Sequence, residues 1–309
     1  MLLRTLLLSA LPCLLFGQEL DLTSSWVTDS DLAKIGKQKD LRKLNLSDTK
    51  VTDFGMEYLK GLTSVTDLDC RFAEFLTDDA VASIRGWKQL ERLNLRGTQV
   101  TSKVFEHLAQ LTNLRWLDLS HTQIEDEGFE YLAALTKLEH LAIGSTRLNG
   151  SGLALLKPLP ALVSLDLSGI QRVDSGLWGL PLTHENLTRI GQLAQLRRLN
   201  LSGATIADRG IDRPGSPDAE RSELRDLSPL AALKNLEALD LSRLPITGES
   251  LAPLRGLPRL RGLRLGLAPK IDDEAAKLLL AMPQLQRVYL SGTRVSPDMM
   301  GKLEAKLFR

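Results

Sequence analysis

A single pattern of leucines and other apolar residues recurs along almost the whole chain. Its clearest copy occupies residues 114–135 and places leucine at Leu114, Leu117, Leu119 and Leu132. Eleven copies open at Gly17, Leu41, Val65, Leu90, Leu114, Leu138, Leu162, Leu196, Leu236, Leu260 and Leu285. Eight of the ten spacings are 24 or 25 residues and the other two are 34 and 40, so the register persists to the end. Such a register predicts one stack of similar units rather than several independent domains.

The first part of each copy alternates apolar and polar residues, as in a strand with one buried face. The following pairs are expected to point inward: Leu44/Leu46, Leu93/Leu95, Leu117/Leu119, Leu165/Leu167, Leu199/Leu201, Leu239/Leu241 and Leu263/Leu265. A helical spacing follows, and the predicted N-cap residues are Thr52, Thr77, Thr101 and Thr247. One strand and one short helix cannot bury a core alone, so neighbouring units must stack. The predicted fold is a right-handed α/β solenoid, a horseshoe of about 11 repeats with a parallel β-sheet on its concave face and short helices on its convex face.

The repeats resemble the leucine-rich repeats of the ribonuclease-inhibitor-like superfamily, in their 24-residue bacterial form. The turns at residues 51–55 (V-T-D-F-G) and 124–128 (I-E-D-E-G) are also similar to the repeats of F-box ubiquitin-ligase subunits. Only some 20 residues precede the repeats, too few for an F-box, so the resemblance does not extend to a ligase role. Residues 227–236 resemble the tight helical turn of internalin-type repeats. The resemblance implies an interaction scaffold that grips a protein with its concave face or its loops.

Residues 1–17 have the composition of a secretory signal peptide. The basic residue Arg4 precedes an apolar stretch over residues 6–16, and Gly17 offers a small residue for cleavage. The stretch is too short to favour a membrane-spanning helix. We therefore expect an exported chain that is secreted, periplasmic or on the cell surface, with a leucine-rich repeat domain over residues 18–309. An uncleaved N-terminal anchor and lipidation at Cys13 are the alternatives.

Charge and cysteine content narrow the range of partners. Without Arg4 the chain has 38 basic and 38 acidic residues, which argues against nucleic acid and against a polybasic membrane-binding surface. Cys70 is the only cysteine after residue 17, so no intramolecular disulfide is expected. An exported chain without disulfides is more typical of a bacterial envelope than of a eukaryotic ectodomain. No later segment is apolar for long enough to predict a transmembrane helix.

Three columns of side chains are predicted to face solvent across the concave sheet. They come from the third, fifth and seventh positions of each repeat, which alternate with the buried leucines. The candidate partner-binding patch consists of Asp69, Arg71, Arg92, Asn94, Arg96, Trp116, Asp118, His140 and Asp166. Tryptophan and arginine are enriched at binding hot spots, and an exposed tryptophan lowers solubility unless a partner covers it. The alternative is a scattered surface with one tolerated tryptophan.

The fifth-position column contains mostly Asp and Asn in alternation. Alternation separates like charges on neighbouring strands and lets the amides donate hydrogen bonds to the carboxylates. The column is therefore either a structural hydrogen-bonding ladder or a polar strip for a ligand. Trp26 and Trp87 lie outside the three columns and are expected to pack internally.

Two repeats are longer than the others, with insertions near residues 175–187 and 209–222. The second insertion is rich in proline, glycine and charge, as surface loops are. Insertions in solenoids often extend a binding face, but long loops also cost little stability and can be neutral. At the end of the chain, Ser296 and Pro297 are predicted to begin a helix that closes the core.

No pattern typical of catalysis is present. The chain contains no Gly-rich phosphate loop, G-x-S-x-G, H-E-x-x-H or C-x-x-C. Its four histidines lie in four different repeats, so neither a metal site nor a cofactor is predicted. Ser120 and His121 are neighbours that point to opposite faces of a strand, which argues against a triad with Asp118. The prediction is a non-enzymatic protein-binding module, and the alternative is a cell-envelope glycan-binding or structural module.

Overall fold

A computed structural model describes residues 18–169, 179–204 and 226–307 of the chain. The predicted signal peptide, the first part of the insertion near residues 175–187 and the whole of the insertion near residues 209–222 lie outside the described residues. The last part of the first insertion is described, and it begins a helix at His184.

The described residues contain one parallel β-sheet of eleven strands in chain order. The strands are β1 (Glu19–Asp21), β2 (Lys43–Asn45), β3 (Asp67–Asp69), β4 (Arg92–Asn94), β5 (Trp116–Asp118), β6 (His140–Ala142), β7 (Ser164–Asp166), β8 (Arg198–Asn200), β9 (Ala238–Asp240), β10 (Gly262–Arg264) and β11 (Arg287–Tyr289). Each strand pairs only with its neighbours in sequence, and the middle residues pair with one another, as Leu93 does with Leu117. The predicted α/β solenoid with a parallel sheet is confirmed.

Short helices connect successive strands on the other side of the core. The α-helices are α1 (Asp29–Ile35), α2 (Asp53–Leu59), α3 (Asp78–Ile84), α4 (Val104–Leu108), α5 (His184–Gly191), α6 (Gly248–Leu251), α7 (Asp273–Leu280) and α8 (Pro297–Leu307). Three connections have a 3-10 helix instead, at Phe129–Ala134, Ser151–Leu156 and Ser228–Ala232, and a further 3-10 helix, Ala252–Gly256, continues α6. The chain therefore alternates strand and helix as the sequence predicts, and α8 closes the end of the stack.

The predicted N-caps are confirmed in three of the four positions. Thr52 and Thr77 accept the backbone N–H of the second residue after them at 3.3 Å, and Thr247 forms a capping box with Ser250. Thr101 makes the same bond to the N–H of Lys103, but α4 begins only at Val104. Thr101 thus stabilises the turn that precedes α4 rather than the helix itself.

Carboxylates at the start of several helices bind the following repeat. Asp53 accepts the backbone N–H and the hydroxyl of Thr77 at 2.9 and 2.7 Å. The same pair of bonds joins Asp29 to Thr52, Asp78 to Thr101 and Asp273 to Ser296. Gly55 is required beside one of these links, because a Cβ there would lie 2.4 Å from Asp29 Oδ1. The recurring Thr-Asp pair therefore fixes the spacing between repeats, and each carboxylate is satisfied by donors on the next repeat.

The leucines of the repeats form one core between the sheet and the helices. Trp87 is fully buried within it and donates from Nε1 to the Lys60 carbonyl at 3.3 Å, which confirms its predicted packing role. Cys70 is buried as well, and this burial raises the pKa of its thiol. The prediction for Trp26 is wrong, because its side chain is 80% exposed and lies 5.9 Å from Lys50 Nζ. Trp26 lies between β1 and α1, and Lys50 of the next repeat lies over its ring.

The eighth position of the repeat has a left-handed backbone throughout most of the solenoid. Values of φ between 53° and 72° occur at Ser24, Asp48, Phe72, Gly97, His121, Ser145, Gly203, Arg243, Leu267 and Gly292. Glycine adopts this conformation without steric cost, whereas a side chain with a Cβ is strained in it. Only three of these ten residues are glycine, so the stacking of neighbouring repeats holds the others in a strained turn.

Candidate functional site

Three residues from the third column lie side by side on the concave face. Sheet register pairs Arg92 with Trp116 and Trp116 with His140, on strands β4 to β6. The Arg92 guanidinium carbon lies 4.5 Å from the centroid of the half-buried Trp116 ring, in a cation–π contact. On its other side, Arg92 Nε lies 3.3 Å from Asp67 Oδ2. Arg92 and Trp116, which the sequence predicts to be neighbours, are therefore in contact. Arg92 is oriented by Trp116 on one side and by Asp67 on the other.

Arg92, Trp116 and His140 form a row of side chains across three strands. His140 is the last residue of this row, and it contacts an arginine from the next part of the sheet. Its Nδ1 lies 3.5 Å from Arg198 Nη2. Partial burial, followed by the positive charge of Arg198, lowers the pKa of the His140 imidazole. This favours the neutral ring, in which Nδ1 can accept from Arg198 while Nε2 keeps a hydrogen that it can donate to a partner.

The fifth-position residues form local turns at the ends of their strands. In each case a side-chain oxygen accepts the backbone N–H two residues later, at 2.8 to 3.1 Å, in Asp69, Asn94, Asp118 and Asp166. This Asx-type bond explains why the column contains Asp and Asn. The expected bond between an amide and a carboxylate on the adjacent strand is present at Asp166, which accepts from Asn200 Nδ2 at 2.9 Å. Asp166 uses Oδ1 for the turn and Oδ2 for the neighbouring strand, and no second bond of this kind joins the described residues of the column.

Arg71 and Arg96 follow these turns at the seventh position. Arg71 Nη2 lies 3.6 Å from Asp69 Oδ2, and both side chains are partly exposed. Asp118 is only 8% exposed, and burial raises the pKa of its carboxyl, with Arg96 opposing that rise. Burial also raises the pKa of Asp67.

Eight of the nine predicted patch residues lie within β3–β6 or just after these strands. Asp166 is separated from Asp118 by Ala142, which contributes no polar group to the column. Since Asp166 is bonded to Asn200 on β8, it belongs to the following part of the concave face.

A recess further along the concave face was not predicted as a site. It has a volume of about 310 Å³ and is formed by β7 to β11. Its floor includes Ala238 and Gly262, and Arg198, Arg287 and Tyr289 lie around it. A sequence signal exists, because two small residues stand between two arginines in the third column: Arg198, Ala238, Gly262 and Arg287.

Among the described residues, no group of three or more His, Cys, Asp or Glu side chains has an arrangement that could hold a metal ion. In the same ranges, no helix combines the length and the apolar character needed to span a membrane.

Known proteins resemble the chain through its repeats. A leucine-rich repeat family matches residues 37–60 and 110–133. An internalin of Listeria monocytogenes has 19% identity and a TM-score of 0.56, over 93% of this chain and 84% of its own. Internalin C2 of the same organism has 26% identity and a TM-score of 0.52, over 73% and 80%. The mouse RP105/MD-1 complex has 19% identity and a TM-score of 0.54 over 93% of this chain, which spans only 44% of the mouse chain. No curated protein sequence matches the chain.

The likenesses to the first internalin and to the mouse complex are at low identity and concern the fold. They agree with the observed sheet, in which eleven parallel strands follow one another in chain order. The family match falls on two copies of the repeat whose register extends along the chain. The chain is a leucine-rich repeat protein.

Proposed function

We propose that this protein is an exported, non-enzymatic leucine-rich repeat protein that binds another protein through its concave face, with its insert loops contributing. The observation that carries the proposal is the row of Arg92, Trp116 and His140 on three consecutive strands. A large aromatic ring and a guanidinium are held together there on the solvent side of a sheet. These residue types dominate binding energy at protein interfaces.

The contacts within this row favour binding because they order the side chains before a partner binds. Arg92 is positioned between the Asp67 carboxylate and the Trp116 ring. Side chains that are already ordered lose less entropy when a partner arrives. The hydrogen-bonding groups of Asp69, Asn94 and Arg71 lie on β3 and β4 or just after β3, on one side of the aromatic ring, where they would contribute to a polar rim.

Export is supported by the composition of residues 1–17, with a basic start, an apolar stretch and a small residue at the end. A secreted, periplasmic or cell-surface location fits this composition. The proposed partner is therefore a protein in the same compartment, and the alternative partner is an envelope glycan.

The test is a pull-down from envelope and culture fractions of the source cells with residues 18–309 as bait. A second bait has Arg92→Ala, Trp116→Ala and His140→Ala. A control bait has Tyr58→Ala, which removes an aromatic ring that is 53% exposed on α2, away from the concave face. The expected result is one protein captured by the first and control baits and lost with the triple variant.

Equal capture by the triple variant would place the contact elsewhere, with the insert loops as the next candidates. Retention of all baits on cell-wall polysaccharide, without any captured protein, would contradict the proposal and favour the glycan-binding alternative. Circular dichroism of each bait checks that the triple variant keeps the mixed helix and strand signal of the folded solenoid.

A further inference from the structure

The recess between β7 and β11 differs from the rest of the concave face because its floor has almost no side chains. At the third position, β9 and β10 contribute only Ala238 and Gly262. Packing does not require glycine at position 262, because an added Cβ would lie 3.7 Å from Ala238 Cβ, an ordinary contact distance. Gly144 on the same face is different, since a Cβ there would lie 2.2 Å from the Ser168 carbonyl oxygen. The open floor is therefore compatible with a ligand and is not imposed by the fold.

Positive charge borders the open floor on both sides. Arg198 on β8 and Arg287 on β11 occupy the third position next to Ala238 and Gly262 respectively. Within the described ranges, neither guanidinium has a carboxylate within ion-pair distance, and Arg198 contacts only the His140 ring nitrogen. Arginines without a carboxylate partner are suited to bind one from outside.

The carboxylates of the recess are already engaged. Asp166 accepts from Asn200 Nδ2 and from the backbone N–H of Ser168. Asp240 accepts the N–H of Ser242 at 2.9 Å and lies 3.9 Å from Arg264 Nη1. Three arginines and two aspartates line the recess, which leaves one formal positive charge, and the two aspartates have local donors. An anionic ligand therefore meets Arg198 and Arg287, which have no carboxylate partner among the described residues, rather than competing for Arg264, which lies beside Asp240.

The distance between the strands that carry these two arginines favours one kind of anion. Arg198 and Arg287 are three strands apart, which corresponds to about 14 Å at about 4.8 Å per strand. An extended peptide that crosses the strands covers about 13 Å in four residues, and residues four apart point to the same side. The residue midway between them lies over Ala238 and Gly262, where space is available. Tyr289, half exposed and stacked with Arg264 at 5.0 Å, offers an aromatic wall at one end.

We propose that this recess binds an extended acidic segment of a protein partner, with two carboxylates four residues apart that pair with Arg198 and Arg287 and a small apolar side chain between them over Gly262. The inference rests on the proposed function for its biological role, but it uses a different set of residues. It predicts which chemical groups the partner presents at a second contact, separate from the row of Arg92, Trp116 and His140.

The test measures fluorescence anisotropy of labelled peptides titrated with residues 18–309 at low ionic strength. The probe contains Glu-Ala-Val-Ala-Glu, and two matched peptides contain Gln-Ala-Val-Ala-Gln or Glu-Glu-Ala-Val-Ala. We expect saturable binding of the first peptide and binding at least tenfold weaker for the other two. Added salt should weaken the first interaction, since it depends on exposed charges.

Protein variants locate the binding. Gly262→Leu fills the recess, whereas Gly256→Leu adds the same side chain at an open site whose nearest heavy atom is Lys234 Nζ at 3.9 Å. Arg287→Gln removes a flanking charge, and Arg255→Gln removes an exposed charge from a 3-10 helix. We expect at least a tenfold loss with Gly262→Leu and with Arg287→Gln, and no change with the two controls.

Equal binding of the Glu and Gln peptides, absence of saturable binding, or equal loss in Gly256→Leu and Gly262→Leu would overturn the inference. Trp116→Ala should leave peptide binding unchanged. Since the pull-down depends on Trp116 and the peptide depends on the recess, failure of one experiment is distinguishable from failure of the other.

Discussion

The two halves of the solenoid repeat the same unit but differ in what it presents on the concave face. In the first repeats, Asp29, Asp53 and Asp78 join each helix start to the next repeat. Further along, Thr247 bonds Ser250 of its own repeat, and the last repeat returns to the first pattern because Asp273 accepts from Ser296. On the concave face the first half presents the Trp116 ring beside paired charges. The second half presents a floor of Ala238 and Gly262 between two arginines that have no carboxylate partner among the described residues, with Tyr289 and the Arg264–Asp240 pair at one end. A solenoid can therefore build contrasting surfaces on one backbone by changing only outward residues.

The largest effect that tests this comparison is expected at Asp126. It is 8% exposed and accepts the backbone N–H groups of Asn149, Gly150 and Gly152. Asp126→Ala leaves these donors without a partner, and we expect a loss of about 3 to 5 kcal/mol in the free energy of unfolding. Urea denaturation gives the loss, and hydrogen exchange at residues 149–152 should accelerate. Glu127→Ala, at an exposed neighbour, is the control, and an equal loss there would contradict the carboxylate link.

The next effect contrasts two glycines of the concave face. Gly144→Ala brings a Cβ within 2.2 Å of the Ser168 carbonyl oxygen, and we expect a loss of about 2 kcal/mol in stability. Gly262→Ala places its Cβ at an ordinary contact distance of 3.7 Å from Ala238 Cβ and should gain about 0.5 to 1 kcal/mol, because alanine has less backbone freedom to lose on folding. Urea unfolding midpoints of both variants check this pair. A loss at Gly262 as large as that at Gly144 would show that the bare floor is a packing requirement.

A smaller effect concerns the left-handed eighth position. Leu267 has φ 57° and a side chain that is 55% exposed, so its strain is offset by little packing. Asparagine tolerates this conformation, and Leu267→Asn should gain about 1 kcal/mol in thermal or urea unfolding. Phe72→Asn should gain less, because the Phe72 side chain is less exposed, at 41%. A destabilised Leu267→Asn variant would show that contact of the leucine with Gly292 outweighs the strain.

The smallest effect depends on pH and concerns Asp118. Burial raises the pKa of this carboxyl in the folded protein above its unfolded value, so the folded state binds the proton more tightly between the two values. Stability therefore falls as pH rises through that window, and the penalty of the ionised group is fully present above the folded pKa. Asp118→Asn should raise stability at neutral pH more than in acid, as measured by urea unfolding at several pH values.

The matched variant for that measurement is Asp240→Asn. Asp240 has the same position in the second half and accepts the equivalent N–H, but it lies beside Arg264. A gain at Asp240 equal to that at Asp118 would indicate a general effect of the substitution rather than the burial of Asp118.

The sheet could be predicted from the sequence because the same pattern of residues recurs in every repeat. Eleven similar copies specify the same buried leucines, so the pairing of Leu93 with Leu117 follows from register alone. The columns of the concave face follow from the same alternation. The sequence alone therefore predicts that Arg92 lies beside Trp116. The side-chain contact between them confirms that neighbours in a column touch.

The features that escaped prediction depend on single residues or on missing side chains. Ser24, Asp48, Phe72 and His121 share a left-handed backbone but no chemical property, so no pattern reveals it. Trp26 is exposed although Lys50 of the next repeat lies over its ring, and its position in the repeat does not indicate this exposure. The recess arises where side chains are small. The absence of large side chains indicates a binding site less clearly in a sequence than the presence of a tryptophan does.

The chain-order pairing of the strands also determines how such a surface can change in size. Since β9 contacts only β8 and β10 within the sheet, a duplicated unit of 24 residues inserted between two repeats would leave the pairing of all other strands intact. It would move Arg198 and Arg287 apart by one strand, or about 4.8 Å, if it were placed between them. The spacing of the two guanidiniums is thus set in steps of whole repeats. A partner that reads this spacing would have to lengthen its own segment by one or two residues for each repeat gained.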